Sequence, residues 1–385
     1  MKKSLAGLAA LLAVASTVNA QNVTFTGPST GSTPYAIPTH PLVRTYSIAT
    51  VDNTGANLDD TFTRSNTSPV YGTAAYSMTG IPDGMGAYAS GNNTFTVLLN
   101  HELGNTAGVT RDHGSKGSFV SQWTINKNTL AVNGAQDLIQ NVALWNGSGY
   151  TTFNNSSPIV TGAASAAAYN AAIGRLCSGD LAAISAFYNS NTSLGTQERI
   201  FLSGEEIGAE GRLFAHVATG ASAGTSYELP RLGKFSWENA LANPTAQNKT
   251  VVIGLDDTSP AGELYMYVGT KTSSGTEVEK AGLTNGLFYG VKVDGGAAQA
   301  EARSTTGNLT VAFGIEKSAN GSVTANSTNS KAFSLVLGPN SGNVTSTSGA
   351  ALQTAHSSDG VSNFLRPEDG AWDPTNGSNF YFVTT

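Results

Sequence analysis

Short apolar runs that stop abruptly at small polar residues govern what this chain can fold into. Residues 94–99 alternate and continue into Asn100, His101 and Glu102. Residues 199–202 lead to Gly204, Glu205 and Glu206, and residues 249–255, rich in Val and Ile, lead to Asp256 and Asp257. Residues 118–125, 264–268, 287–293 and 380–383 have the same character, and Gly, Asn and Ser clusters separate them all. Runs of this length and period are strand signals, and the clusters between them are turn signals. With 44 glycines and only 12% charged residues, about half the usual share, the expected fold is all-β. One stretch departs from the pattern: residues 165–188 carry alanines and leucines at helical spacing and predict one or two short helices. Residues 319–348 read as long surface loops or a decorated insert around a strand at 331–337.

Composition removes several classes. Hydrophobic residues at 39% can build a core, which excludes wholesale disorder. The formal charge is −6 with no basic run, so the footprint of a nucleic-acid binder is absent. Lys2 and Lys3, the apolar residues 5–14 and Val18-Asn19-Ala20 form a secretory leader over residues 1–20, with one domain expected over 21–385. No later run of about 18 apolar residues occurs, so no integral membrane segment is expected. The reading is an exported, periplasmic or extracellular monomer. Cys177 is its one cysteine, which rules out an internal disulfide and leaves packing or metal to rigidify the chain.

Familiar catalytic signatures are missing. There is no phosphate-binding glycine loop, no Gly-x-Ser-x-Gly elbow and no helical histidine pair, and His40, His101, His113, His216 and His356 lack zinc spacing. Acids are the better lead. Glu102, Glu205 with Glu206, and Asp256 with Asp257 each follow an apolar run. In a radial β architecture strand ends of one kind gather at one mouth, where these carboxylates would meet. Such a gathering suits hard cations, above all calcium, because burying carboxylates together without a cation is very unfavourable. Each acid could equally be a turn former. Arg366, in Arg366-Pro367-Glu368-Asp369, is either a local salt bridge or a planar fork for a phosphate or carboxylate substrate.

Several segments also stand in a shared order: Asn100-His101-Glu102, Arg111-Asp112-His113-Gly114, Ser203-Gly204-Glu205-Glu206, residues 232–238 and Arg366-Pro367-Glu368. From about residue 90 onward the chain resembles the PhoX-type alkaline phosphatases. That resemblance implies a six-bladed β-propeller whose central calcium and iron cluster hydrolyses phosphate monoesters. It implies Glu102, Glu206, Glu238 and Glu368 as metal ligands, Arg366 as the phosphate contact and Cys177 as an iron ligand. Glu205 and Asp257, next to or among the strand-end acids, complete the candidate ligand set. The chain departs from the family at Gly204, where a cysteine is usual, and at Trp237, where a histidine is usual. Its leader also lacks twin arginines, which favours calcium over iron. The last residues fall in a strand-like run, so an incomplete C-terminal blade is expected. The expectation is therefore a metal-dependent phosphomonoesterase acting on small phosphate esters. The rivals are a calcium-stabilised extracellular propeller without catalysis and a calcium-dependent hydrolase of another ester.

Overall fold

The structure, a computed structural model, describes residues 24–40, 42–51, 60–157, 172–293 and 333–384, with four short backbone segments between 301 and 324. The expected leader lies outside the described residues.

Three antiparallel-rich sheets and a hairpin carry most of the chain. The first sheet runs in the order β1 (Pro82–Ala89), β2 (Thr94–His101), β3 (Phe119–Asn126) and β4 (Val132–Asp137). The second contains β5 (Asn141–Trp145), β6 (Tyr150–Phe153), β7 (Leu176–Leu181), β8 (Ile200–Glu205), β9 (Leu213–Val217) and β10 (Thr225–Glu228). Its spatial order is β6-β5-β10-β9-β8-β7, and β5 and β10 pair in parallel. The third runs β11 (Trp237–Ala242), β12 (Lys249–Asp256), β13 (Gly262–Thr270), β14 (Leu287–Val293) and β15 (Phe333–Leu337). A short β16 (Asn363–Phe364) pairs with β13, and β17 (Pro367–Trp372) forms the last hairpin with β18 (Phe380–Thr384).

The edge strands β1, β7, β11 and β17 lie side by side, so the four sheets spread as a fan from a common axis. Glycines permit the close approach. A Cβ on Gly84 would stand 2.2 Å from the Gly179 amide nitrogen, and one on Gly86 would stand 2.3 Å from Leu181 Cβ. The chain is all-β, as expected, but the described residues form this fan and no closed ring of six blades.

Cores fill the spaces between and outside the sheets. Strand alternation sends neighbouring residues into different cores. Leu98 joins Val120, Phe201 and Phe214 between the first two sheets, while Leu99 joins Trp123, Tyr76 and Phe62 on the outer face. Phe201 and Leu202 divide in the same way, Leu202 packing with Phe235, Trp237 and Tyr265 between the second and third sheets. Both faces are buried, which is why these runs read as continuous apolar stretches. Each such large side chain contributes about 1.5–3 kcal/mol through burial.

Of the one or two short helices expected over 165–188, the described residues hold one. Residues 158–171 lie outside the described residues, Leu176–Leu181 form a strand, and only the single turn α1 (Ile184–Phe187) is helical. Leu176–Leu181 holds no alanine, and its pairing with β8 and the tight contact at Gly179 set it as a strand. After the short, capping-boxed α2 (Glu277–Lys280), an eleven-residue helix, α3 (Gly349–Asp359), follows the loop-rich stretch. Ser348 caps it by accepting the Ala351 amide, and Gly360 ends it in the left-handed conformation. No helix among the described residues is long and apolar enough to cross a membrane.

A buried polar network ties the 60–78 segment to the first sheet. Arg111 pairs with Asp137 and donates to Tyr76 at 3.1 Å, and the Asp112 amide also donates to Asp137 at 3.0 Å. Burial pushes the Asp137 carboxyl up, but the Arg111 charge and hydrogen bonds carry it below the usual range. Replacing Arg111 with Met should therefore strand a buried carboxylate and cost about 3–5 kcal/mol. Urea unfolding measures this, and a loss below about 1 kcal/mol would show that the network adds little.

Candidate metal centre

Each of the four sheets opens with the same backbone device. Pro82 lies opposite His101, Leu176 opposite Glu205, Trp237 opposite Asp256 and Pro367 opposite Thr384. Directly after each of these pairs the register shifts, the mark of a β-bulge. A bulge bends the strand and re-aims the side chains at it. The residues that follow on the edge strands are Asp83, Cys177, Glu238 and Glu368. Those that follow on the second strands of the first three sheets are Glu102, Glu206 and Asp257.

One hydrogen bond recurs with the bulge. The Glu102 amide donates to the Ile81 carbonyl at 2.8 Å, the Glu206 amide to the Arg175 carbonyl at 2.9 Å, and the Asp257 amide to the Ser236 carbonyl at 3.0 Å. Every sheet thus delivers an edge-strand residue to one mouth, and the first three add an acid from the second strand.

At that mouth the donor atoms meet in three overlapping groups, each with all ligand atoms within 4.8 Å of one another. They are Asp83, Glu102 and Cys177; Cys177, Glu206 and Glu238; and Glu238, Asp257 and Glu368. Cys177 and Glu238 belong to two groups each, so the set is continuous. The Cys177 thiol lies 3.4 Å from both Asp83 and Glu238, and the Ser178 hydroxyl donates to Glu238 at 2.8 Å.

Two guanidinium groups border the six carboxylates. Arg175 contacts Glu102 at 2.6 Å and Glu206 at 2.8 Å. Arg366 holds Asp257 through Nε at 2.7 Å and Nη2 at 2.8 Å, and Glu368 at 3.0 Å. Two positive charges leave most of the carboxylate charge uncompensated. Burial pushes the Glu238 carboxyl up to about 7; hydrogen bonds from Ser178 and Cys177 oppose this, while the Glu206 and Glu368 charges add to it. Burial likewise raises Asp83 and Glu206, and burial followed by the Glu238 and Asp83 charges raises the Cys177 thiol. A site that holds protons this firmly suits divalent cations that would replace them. Six carboxylates fit calcium, and the one thiol is a softer donor of the kind iron accepts.

Of the residues singled out from sequence, Glu102, Cys177, Glu206, Glu238, Asp257, Glu368 and Arg366 come together here. Glu205 does not. Strand alternation turns it away from Glu206, and its buried carboxylate takes Arg212 at 2.6 and 2.7 Å and the Gly174 amide at 2.9 Å. Asp369 also stands apart from Arg366 and accepts from Asn239 at 2.8 Å. Both readings of Arg366 left open by the sequence remain visible in its geometry, since it forms ion pairs yet is 44% exposed.

Asp83 was missed. Its signal is the match of Pro82-Asp83-Gly84 to Pro367-Glu368-Asp369-Gly370, which only the bulge register makes meaningful. None of the five histidines joins the three groups. His216, hydrogen-bonded to Ser203 and Ser226 at 2.7 and 2.6 Å, is fully buried, and burial lowers it to about 3.

Gly204 and Trp237 lie against each other. A Cβ on Gly204 would stand 2.2 Å from Trp237 Cβ and 2.7 Å from its Cγ, so the stem of Trp237 occupies the space a side chain at 204 would need.

No family model matches the sequence, and no curated protein matches it. Among solved structures, the chain is similar to Pseudomonas fluorescens PhoX in complex with vanadate, a transition state analogue. The TM-score is 0.44 with 13% sequence identity, over 78% of this chain and 58% of that one. The chain therefore spans less than two thirds of the length of the structure it matches.

Two outcomes are expected. Gly204→Ala should destabilise the fold by about 1–3 kcal/mol, because the obstacle is a side-chain stem that cannot swing aside; an unchanged urea midpoint would refute the coupling with Trp237. In chelator, Glu238 should favour the folded state below its ordinary range near 4.5 and lose that contribution as pH rises through about 7. The melting temperature of chelated protein should therefore fall across that window, and calcium should abolish the fall. A melting temperature that is flat in chelator would count against it.

Proposed function

We propose that this chain is an exported, metal-dependent phosphatase acting on phosphate monoesters, with its four-sheet fan forming part of a β-propeller. The observation that supports this most is the convergence of six carboxylates and one thiol, with two half-exposed arginines at their margin. Asp83, Glu102, Cys177, Glu206, Glu238, Asp257 and Glu368 would hold the cations, calcium first and iron at Cys177. When bound, such ions screen phosphoryl oxygens and lower the pKa of water.

The chain's own groups supply the rest. Arg366 donates charge-assisted hydrogen bonds to the equatorial oxygens of the phosphoryl group, and it stands fixed by Asp257 before substrate arrives. Ser178 orients the Glu238 carboxylate once that group has lost its proton. The bulge hydrogen bonds hold Glu102, Glu206 and Asp257 in place, so little reorganisation accompanies binding.

A second reading, a calcium-stabilised extracellular propeller without catalysis, is favoured by one observation. Arg366 is already engaged by two carboxylates, as a purely structural residue would be.

Hydrolysis of a chromogenic phosphate monoester by calcium-loaded protein, with and without chelator, separates the two. Turnover that chelator abolishes is expected, and Arg366→Ala should lower kcat/KM by roughly 10²–10³-fold. In calcium-loaded protein its melting temperature should barely move, because a bound cation would compensate the Asp257 carboxylate, 4% exposed, that the arginine leaves. Calcium-dependent stability with no turnover would favour the structural module.

A further inference from the structure

We propose that Arg175 is a second oxyanion-binding residue, the counterpart of Arg366, so that a phosphoryl group is held between two guanidinium forks. This rests on the phosphatase reading and extends it to a residue that the sequence motifs did not single out.

Position is the first observation. Arg175 stands two residues before Cys177, as Arg366 stands two residues before Glu368, and Cys177 and Glu368 are equivalent bulge residues. The same position holds Ile81 in the first sheet and Ser236 in the third. The two arginines therefore occupy alternate sheets of the fan.

Backbone is the second. Arg175 has φ 31° and Arg366 φ 45°, a region that L side chains rarely adopt and that glycine enters freely. Non-glycine residues held in such conformations cluster at ligand clamps and active sites. Two arginines at equivalent positions share it here.

Partnership is the third. Each arginine reaches back to the acid that ends the second strand of the preceding sheet, Arg175 to Glu102 and Arg366 to Asp257. Each also touches an acid of its own sheet, Glu206 and Glu368 respectively. Both use Nε and Nη2 for these contacts. The side chains are 48% and 44% exposed, although the carboxylates they hold are between 4% and 23% exposed. One edge of each guanidinium thus faces the acids while the rest remains open to a ligand. A planar fork with a free edge is suited to an oxyanion, and its charge offsets the repulsion that six neighbouring carboxylates exert on a phosphate.

The test compares Arg175→Lys and Arg366→Lys in full-length, calcium-loaded protein. Each keeps the charge and removes the fork. Calorimetry measures orthophosphate binding, and melting temperature and bound calcium are followed alongside. Both variants should bind orthophosphate at least tenfold more weakly than wild type, with calcium content unchanged and a raised KM for the monoester. Arg175→Gln, which keeps donors for Glu102 and Glu206, guards against loss of the fold and should show the same weakening. Wild-type orthophosphate affinity in both Arg175 variants, beside a weakened Arg366→Lys, would overturn the proposal and leave Arg175 as a brace for the acids. Failure of the phosphatase reading looks different: the wild-type protein itself would neither bind orthophosphate nor hydrolyse the ester.

Discussion

Mutual repulsion among carboxylates is the constraint around which this molecule is organised. Two unit charges 4 Å apart interact by about 4 kcal/mol at the effective dielectric of a protein surface. Six carboxylates meet in groups of that dimension, with two arginines among them. The arginines and the bulge hydrogen bonds hold such groups together only in part. The rest of the force is remote: it lies in cores on both faces of β2 and β8, where Leu98, Leu99, Phe201 and Leu202 anchor the strands whose ends carry Glu102 and Glu206. Proton uptake by Glu238 relieves part of the strain without metal, and cation binding would relieve more.

The repeat that builds the mouth lies in hydrogen-bond register and is almost invisible as residue identity. Asp83, Cys177, Glu238 and Glu368 occupy one structural position with three residue types, and Ile81, Arg175, Ser236 and Arg366 occupy another with three. The acids ending the second strands could be read from sequence, because an apolar run followed by an acid is a local pattern. That local pattern alone could not choose Glu206 over Glu205, since the choice depends on strand parity relative to a bulge that lies on the neighbouring strand. Asp83 was hidden for the same reason. The longer apolar strands, such as those over 94–101, 119–126, 249–256 and 287–293, were legible, while the helix over 349–359 was signalled by Ser348 and Gly360 but masked by the loop-like residues before it. Over 176–181 alanine-rich context suggested helix, and pairing across the sheet decided otherwise.

Trp237 shows how the scaffold and the site constrain each other. Its indole stacks on Phe235 at 3.9 Å and sits between two glycines, 2.7 Å from the Cβ position of Gly204 and 2.8 Å from that of Gly254. The slot is narrow because both neighbouring strands lack side chains at the level of the ring. Trp237 is only 1% exposed and immediately precedes Glu238, the carboxylate shared by two of the three donor groups. Fixing the indole therefore fixes the backbone at the bulge, and with it the direction in which Glu238 leaves the strand. A Cβ at 204 would meet the Trp237 Cβ at 2.2 Å, so a side chain there would require the backbone at 237 to move. This chain has glycine at 204, which leaves Cys177 as the single thiol in a field of oxygen donors and shifts the chemistry of the mouth toward hard cations.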